Sequence, residues 1–85
     1  MAISPAQCRA ARSLIGWSQD KLAAASKVAK ATIANFEAGK REPYDRTLVD
    51  LQSTLETAGV IFQGDGETTT GGPGVRLNSF TPDEE

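Results

Sequence analysis

The fold is decided between residues 17 and 43, where the sequence reads WSQDKLAAASKVAKATIANFEAGKREP. This stretch predicts two short helices: one is capped by Ser18 and ends at about Ser26, and the other covers about residues 30–38. Only a few residues around Lys27 separate them, and a glycine follows the second helix as a stop signal. Two short helices with a tight turn between them are typical of a helix-turn-helix unit.

A further helix is predicted on each side of this unit. The first helix of the chain starts after Ser4, because Pro5 is well tolerated at a first helical position, and it ends at Gly16. Asp45 is predicted to cap the fourth helix, which continues to about Ala58. Apolar residues at helical spacing mark the faces expected to form the core: Cys8, Ala11 and Ile15 in the first helix, Leu22 and Ala25 in the second, Ile33 and Phe36 in the third, and Leu48, Leu51 and Leu55 in the fourth.

Beyond Gly59 the helical period ends and the sequence predicts short β segments. Val60-Ile61-Phe62 and Val75-Arg76-Leu77 are apolar runs, and the connection between them is rich in Gly and Thr. The fold class is therefore mainly α, with four helices and a short C-terminal β hairpin or strand pair. We expect a helix-turn-helix domain over residues 1–59, β segments over residues 60–78, and a disordered acidic tail over residues 79–85.

Composition excludes several classes of protein. The 85 residues make one small domain, and no run approaches the roughly 20 apolar residues of a membrane span. The chain has no histidine and a single cysteine, Cys8, so it lacks the usual general base, the commonest metal ligand and any internal disulfide. We therefore expect no enzyme activity, no metal and no cofactor. Because there is also no signal-peptide pattern, we expect a cytoplasmic protein.

The net charge of −2 conceals an uneven distribution. Residues 1–46 contain eight Lys or Arg and four acids, a net charge of +4, whereas residues 47–85 contain one Arg and seven acids, a net charge of −6. Such an asymmetry is consistent with one face that meets a polyanion and another that repels it. It is equally consistent with a solvated helix surface followed by an acidic tail, and charge alone leaves both interpretations open.

Residues 17–23 and 31–43 resemble the phage Cro/repressor helix-turn-helix family, which is also called the XRE type. The resemblance extends over about residues 5–58, and the run Gly-Pro-Gly-Val-Arg-Leu at residues 72–77 is similar to the ending of small bacterial regulators of this type. It implies a Cro/repressor-like four-helix domain that binds double-stranded DNA. Two positions depart from the family pattern: Lys27 stands where Gly is common, and Ala29 stands where Ser or Thr is frequent.

The resemblance also implies roles for individual residues. The third helix would lie in the major groove, with its N-terminal residues closest to the base edges. Base contacts are expected from Lys30, Ala31 and Asn35, a base or backbone contact from Thr32, and phosphate contacts from Gln19, Lys40 and Arg41. Arg12 and Glu37 would form a partly buried ion pair that joins the first helix to the third and leaves an N–H of Arg12 for a phosphate.

The predicted function is a sequence-specific, double-stranded-DNA-binding transcriptional regulator: a dimeric repressor that covers promoter DNA at a palindromic operator and controls its own gene. The residues expected at the dimer interface are Val60, Ile61, Phe62, Val75 and Leu77. A hairpin folded back on its own helices, with a dimer through the fourth helix, is the alternative interface. The alternative function is a protein-interaction module, an antitoxin or anti-activator that keeps the fold and binds a protein partner. No membrane contact is expected.

Overall fold

The computed structural model describes residues 2–63 and 74–77. Four helices come first and a two-stranded antiparallel sheet follows: α1 (Pro5–Ile15), α2 (Gln19–Ser26), α3 (Lys30–Glu37), α4 (Asp45–Thr57), β1 (Val60–Gln63) and β2 (Gly74–Leu77). The predicted fold class, mainly α with a short C-terminal hairpin, is confirmed. The predicted strand connection over residues 64–73 and the acidic tail over residues 79–85 lie outside the described residues. In the part that is described, no helix has the length and apolar character needed to cross a membrane.

Helix α1 begins where its sequence predicts. The Ser4 hydroxyl accepts a hydrogen bond from the Gln7 backbone N–H at 3.1 Å, and the Gln7 side-chain oxygen accepts one from the Ser4 N–H at 2.9 Å. Together they form a capping box, which satisfies two N–H groups that the first helical turn leaves without a partner. Further along the helix, Cys8 and Ala11 are fully buried, so the predicted apolar face of α1 is the one that meets the core.

The connection between α2 and α3 is a tight turn with an unusual residue in it. Lys27 has a φ of 64°, a left-handed conformation that few residues other than Gly adopt. Ala29 is the N-cap of α3 and provides no side-chain hydrogen bond, in contrast to Ser18, whose hydroxyl caps α2 by accepting from the Lys21 N–H at 3.0 Å. Both departures from the family pattern therefore have a visible effect on the turn and on the helix that follows it.

Two details of the predicted helices are wrong. Ala25 is exposed rather than inward-facing, because the inner side of α2 lies along Leu22, which is buried, and Ala23, which packs beside the core. Asp45 is the first helical residue of α4 and not its cap; Tyr44 is the N-cap, with extended backbone and no side-chain hydrogen bond. The carboxylate of Asp45 still lies in the first turn, where the helix dipole favours a negative charge.

The two strands pair with each other and fold back onto the helices. Val60 is opposite Leu77 and Phe62 is opposite Val75, and opposed residues of an antiparallel pair lie on the same face. That face is the inner one, since Val60 and Phe62 are buried in the core formed with the helices. Of the five residues expected at a dimer interface, only Ile61 lies on the outer face.

Gln7 ties the hairpin to α1. Its Nε2 donates to the Gln63 carbonyl of β1 at 2.9 Å and to the Gly74 carbonyl of β2 at 3.0 Å, so a single buried amide holds both strands. Helices α1 and α4 both pack against β1. Val60 and Phe62 are therefore core side chains of their own chain rather than exposed dimer contacts, because α1 and α4 cover them. The dimer itself stays a prediction.

Candidate nucleic-acid interface

Helix α3 has one face in the core and one in solvent. Ile33 and Phe36 are only 0% and 1% exposed, and they pack α3 against α1 and α2. The residues expected at bases lie on the other side: Lys30, Ala31 and Asn35 are exposed, and Thr32 is half-buried. The structure thus brings the four residues together on the outer surface of a single helix.

The position of α3 relative to α1 is fixed at Glu37, the last residue of α3. Arg12 donates to both oxygens of its carboxylate, from Nη2 to Oε1 at 2.7 Å and from Nε to Oε2 at 2.8 Å. The Arg12 Nη1 donates to the Trp17 carbonyl at 2.9 Å. The Glu37 side chain is 3% exposed and that of Arg12 is 18% exposed, so the pair that the resemblance implied is present and partly buried.

Two further side chains donate to the same carboxylate. The Gln19 Nε2 lies 2.9 Å from Oε1 of Glu37, and the Cys8 Sγ lies 3.0 Å from Oε2. Arg9 adds a hydrogen bond from Nη1 to the backbone carbonyl of Glu37. One carboxylate therefore joins α1, α2 and α3. Gln19 was expected to contact only a phosphate. One N–H of its side-chain amide donates to this network, and the other is left for a further contact.

The protonation of the network follows from these contacts. Burial by itself would raise the pKa of a carboxyl, but the hydrogen bonds from Arg12, Gln19 and Cys8 together outweigh it, so the pKa of Glu37 lies below its ordinary value of 4.5. The bond to Glu37 raises the pKa of Arg12. Burial, and then the same carboxylate, raise the pKa of the Cys8 thiol. The thiol therefore stays protonated and acts as a donor.

A second ion pair lies at the surface. Lys30 Nζ is 3.1 Å from Asp20 Oδ1, with the two side chains 56% and 74% exposed. It connects the first residue of α3 to the second residue of α2 across the turn. The sequence predicted a base contact for Lys30 and gave no partner for it within the chain.

A groove runs along α3 towards the start of α4. Its walls are formed by Ala31, Thr32, Asn35, Arg41, Glu42, Pro43, Tyr44 and Thr47. Tyr44 is 86% exposed, which is unusual for a large aromatic side chain, and it stands at the rim of this groove. Sequence reasoning missed both Tyr44 and Thr47, because only the fold brings the start of α4 beside α3.

Lys40 and Arg41 follow directly after α3. Their backbone N–H groups both donate to the Asn35 carbonyl, at 2.9 and 3.4 Å, and so hold the turn at the end of α3. Both side chains are exposed, and neither forms an ion pair within residues 2–63 and 74–77. Two exposed cationic residues, with no ion-pair partner in the described part of the chain, thus follow α3 directly.

The described residues hold no group of three or more His, Cys, Asp or Glu side chains able to bind a metal ion. They hold a pair of short helices joined by a tight turn. A buried carboxylate fixes the position of the second helix, the outer face of that helix is exposed, and two cationic residues follow it. This combination defines a helix-turn-helix module of the class that binds DNA.

The chain belongs to the Helix-turn-helix family, whose pattern matches residues 9–59, and within it to the XRE-type regulators of the Cro/repressor kind. This is a family of DNA-binding regulatory domains and not a family of enzymes. The match begins within α1 and includes all of α2, α3 and α4. No curated protein matches the sequence.

Proposed function

We propose that this chain recognises a specific operator in double-stranded DNA through α3 and acts as a dimeric transcriptional repressor, which covers a promoter and controls its own gene. The observation that carries the proposal is the outer face of α3, where Lys30, Ala31 and Asn35 are exposed on a helix that Glu37 locks from within. A site on a rigid, supported helix keeps its side chains in register with successive base pairs.

The exposed side chains suit different base edges. The Lys30 ammonium can donate to guanine O6 and N7, and the Asn35 amide can pair with adenine N6 and N7. Ala31 can contact only a thymine methyl, and Thr32 can reach a base or the backbone. Because long side chains are few on this face, we expect DNA shape to contribute to the choice of sequence.

Phosphate contacts are assigned to groups around α3. Lys40 and Arg41 are exposed cations, and Gln19 retains one N–H beside the N-terminal amides of α2. The groove bordered by Arg41, Tyr44 and Thr47 is the place proposed for the sugar–phosphate strand next to the major groove. These contacts would set the register of α3 on the duplex without themselves reading sequence.

A dimer is part of the proposal. A single α3 contacts too few base pairs to distinguish one site from genomic competitors, whereas a two-fold dimer reads two half-sites about one helical turn apart. We assign the interface to the hairpin over residues 60–78, through its outer strand edges and Ile61, and treat residues 1–59 as the DNA-binding part. Helix α4, whose Val49 is 58% exposed, is the alternative interface.

A salt titration tests the proposal. A preferred duplex is first selected from a random pool, and its affinity is then measured at several salt concentrations. About six to eight phosphate contacts per dimer, some made by neutral groups, correspond to a log–log slope of roughly −4 to −7. Lys30→Ala or Asn35→Ala should weaken binding to the preferred duplex and relax its base preference, whereas Arg41→Ala, the control, should weaken all duplexes equally.

The second candidate is a protein-interaction module, and the net charge of −6 over residues 47–85 favours it. A net negative charge repels DNA and attracts a basic protein partner. A flat salt response, with no duplex enriched by selection, would contradict the DNA-binding proposal and favour this module. Equal behaviour of Lys30→Ala and Arg41→Ala on preferred and random DNA would show that the assigned register of α3 is wrong.

A further inference from the structure

The Asp20–Lys30 ion pair lies on the surface that is proposed to face DNA. Asp20 is the second residue of α2 and Lys30 is the first residue of α3, with 3.1 Å between Oδ1 and Nζ. Within residues 2–63 and 74–77 the one other ion pair is the buried Arg12–Glu37 pair. Because both side chains of the Asp20–Lys30 pair are more than half exposed, a third group can approach the ammonium while the pair is kept.

The chemistry of Lys30 makes such a three-way contact possible. An ammonium has three N–H donors, so a single carboxylate oxygen at 3.1 Å leaves donors for acceptors on DNA. An unpaired lysine on a flexible stem would be drawn to the nearest phosphate, and that contact carries no sequence information. A carboxylate beside the ammonium repels phosphates but leaves the neutral O6 and N7 acceptors of guanine attractive.

We infer that Asp20 is a positioning residue for sequence readout: it holds the Lys30 ammonium over the base edges and away from the phosphate backbone. Lys30 then contributes to the choice of sequence rather than to general affinity for DNA. The inference rests on the proposed function, because it concerns the same surface of α3, and the group it assigns to Lys30 is the major-groove edge of guanine.

Asp20→Asn in the full chain tests the inference. Affinity is measured at fixed salt for the selected duplex and for a duplex of random sequence. Without Asp20 the ammonium is free to reach a phosphate, so binding to random DNA should rise by about three- to tenfold, the size of one phosphate contact at about 0.1 M salt. Binding to the selected duplex should rise less, so the specificity ratio falls and base preference relaxes at one position. Asp20→Glu should restore both.

The matched control is Asp50→Asn, which removes an equal charge from an exposed residue of α4 that forms no ion pair within the described part of the chain. If both variants raised the affinity for both duplexes by one common factor, Asp20 would act only through net charge and the inference would be overturned. A specificity ratio that rises in Asp20→Asn would also overturn it, because Asp20 would then compete with DNA for Lys30.

The design separates this inference from the proposed function. If the unmodified chain selects no duplex, both are overturned. If it selects one and Asp20→Asn leaves the specificity ratio unchanged, only the role of Asp20 is overturned. Asp20→Asn should unfold near the temperature of the unmodified chain, because exposed pairs contribute little to stability, so a changed ratio cannot be attributed to unfolding. In a Lys30→Ala background, Asp20→Asn should no longer affect the ratio.

Discussion

At the scale of single residues, Glu37 governs how the helices are held. It ends α3, where the helix dipole disfavours a negative charge, and its side chain is almost fully buried. Removing a carboxylate from water costs several kcal/mol unless donors replace the water. Arg12, Gln19 and Cys8 supply those donors, and since they come from α1 and α2, the desolvated charge is tolerable only when the three helices are correctly assembled.

Glu37→Ala tests this coupling. The substitution leaves the Arg12 guanidinium without its carboxylate at a position only 18% exposed, so we expect the free energy of unfolding to fall by about 2–4 kcal/mol. Urea titrations followed by circular dichroism, for Glu37→Ala, Arg12→Ala and the double variant, give the coupling energy. The double variant should lose less than the sum of the two, because neither charge is then stranded.

Asp20→Ala is the control for that measurement, because its ion pair is exposed and worth only about 0–1 kcal/mol. Additive, surface-sized losses in the Arg12 and Glu37 variants would contradict the coupling.

The free energy of unfolding also depends on pH, with a definite sign. Because the pKa of Glu37 is lowered in the fold, the stabilisation from its carboxylate is complete above the ordinary value of 4.5. That stabilisation is lost as the pH falls through the folded-state pKa.

Part of this hydrogen-bond network could be predicted from the sequence. The Arg12–Glu37 pair followed from the family resemblance, because both residue types stand at the matching places. The contribution of Gln19 did not, because its position at the start of α2 suggested an outward contact with phosphate. Nor did that of Cys8: its place on the apolar face correctly predicted a buried thiol, but whether a buried thiol has a carboxylate as neighbour depends on how α1 packs against α3.

At the scale of the elements, the turn between α2 and α3 carries a conformational cost. Lys27 is the one non-glycine residue with positive φ in the part of the chain that the structure describes. An L residue in this conformation brings its Cβ close to the backbone, at a cost of about 1–2 kcal/mol. The turn is held in place nonetheless, because the Lys27 N–H donates to the Ala23 carbonyl at 2.9 Å and the Ser26 hydroxyl accepts from the Val28 N–H at 3.2 Å.

Lys27→Gly should therefore stabilise the protein. Relief of the left-handed strain outweighs the larger entropy of glycine in the unfolded chain, and we expect a gain of about 1 kcal/mol in the free energy of unfolding, read from thermal or urea melts. Lys27→Ala removes the same charge but keeps the Cβ, so it should give no such gain. Gly39→Ala, at a φ of 76° with open space around the new Cβ, should lose about 1 kcal/mol through strain alone. Stabilisation by Lys27→Ala would point to charge rather than strain.

Element positions were predictable where local chemistry decides them and less so where packing does. Ser4 and Ser18 begin their helices as predicted, because a hydroxyl at the N-cap satisfies an N–H that nothing else in the turn reaches. Asp45 was mistaken for a cap because aspartate suits that position, but the helix already begins at Asp45 itself. For the β segments, composition predicted strands, but only the burial of Val60 and Phe62 shows which face meets the helices.

At the scale of the whole molecule, the hairpin completes the core. Val60 and Phe62 join the buried cluster of the four helices, and Gln7 holds both strands to α1. Loss of a buried Phe side chain costs about 3–5 kcal/mol, a large share of the stability of a domain this small. Removing the hairpin would therefore destabilise the helices as well as any dimer, so an interface on its outer side must be tested without deleting it.

Single substitutions on outward-facing residues make that test. If the hairpin forms the dimer, Ile61→Glu should give a monomer in sedimentation while leaving the helical circular dichroism unchanged, because Ile61 lies opposite Arg76 on the face away from the core. Val49→Glu on α4 is the matched control and should leave the dimer intact. The reverse pattern, a monomer from Val49→Glu alone, would assign the interface to α4.

The burial of Cys8 has a consequence for the oxidation chemistry of the chain. Cys8 is 0% exposed and its thiol is protonated, so a thiol reagent or an oxidant reaches it only while the core around α1 opens. When such openings are rare and brief, the modification rate is the product of two quantities: the rate at which an exposed thiol reacts and the fraction of molecules that are open. The opening equilibrium sets that fraction. The extent of Cys8 modification therefore measures how often the chain has opened. A disulfide-linked pair of chains in an aged sample would record past unfolding events, not the interface of the proposed dimer.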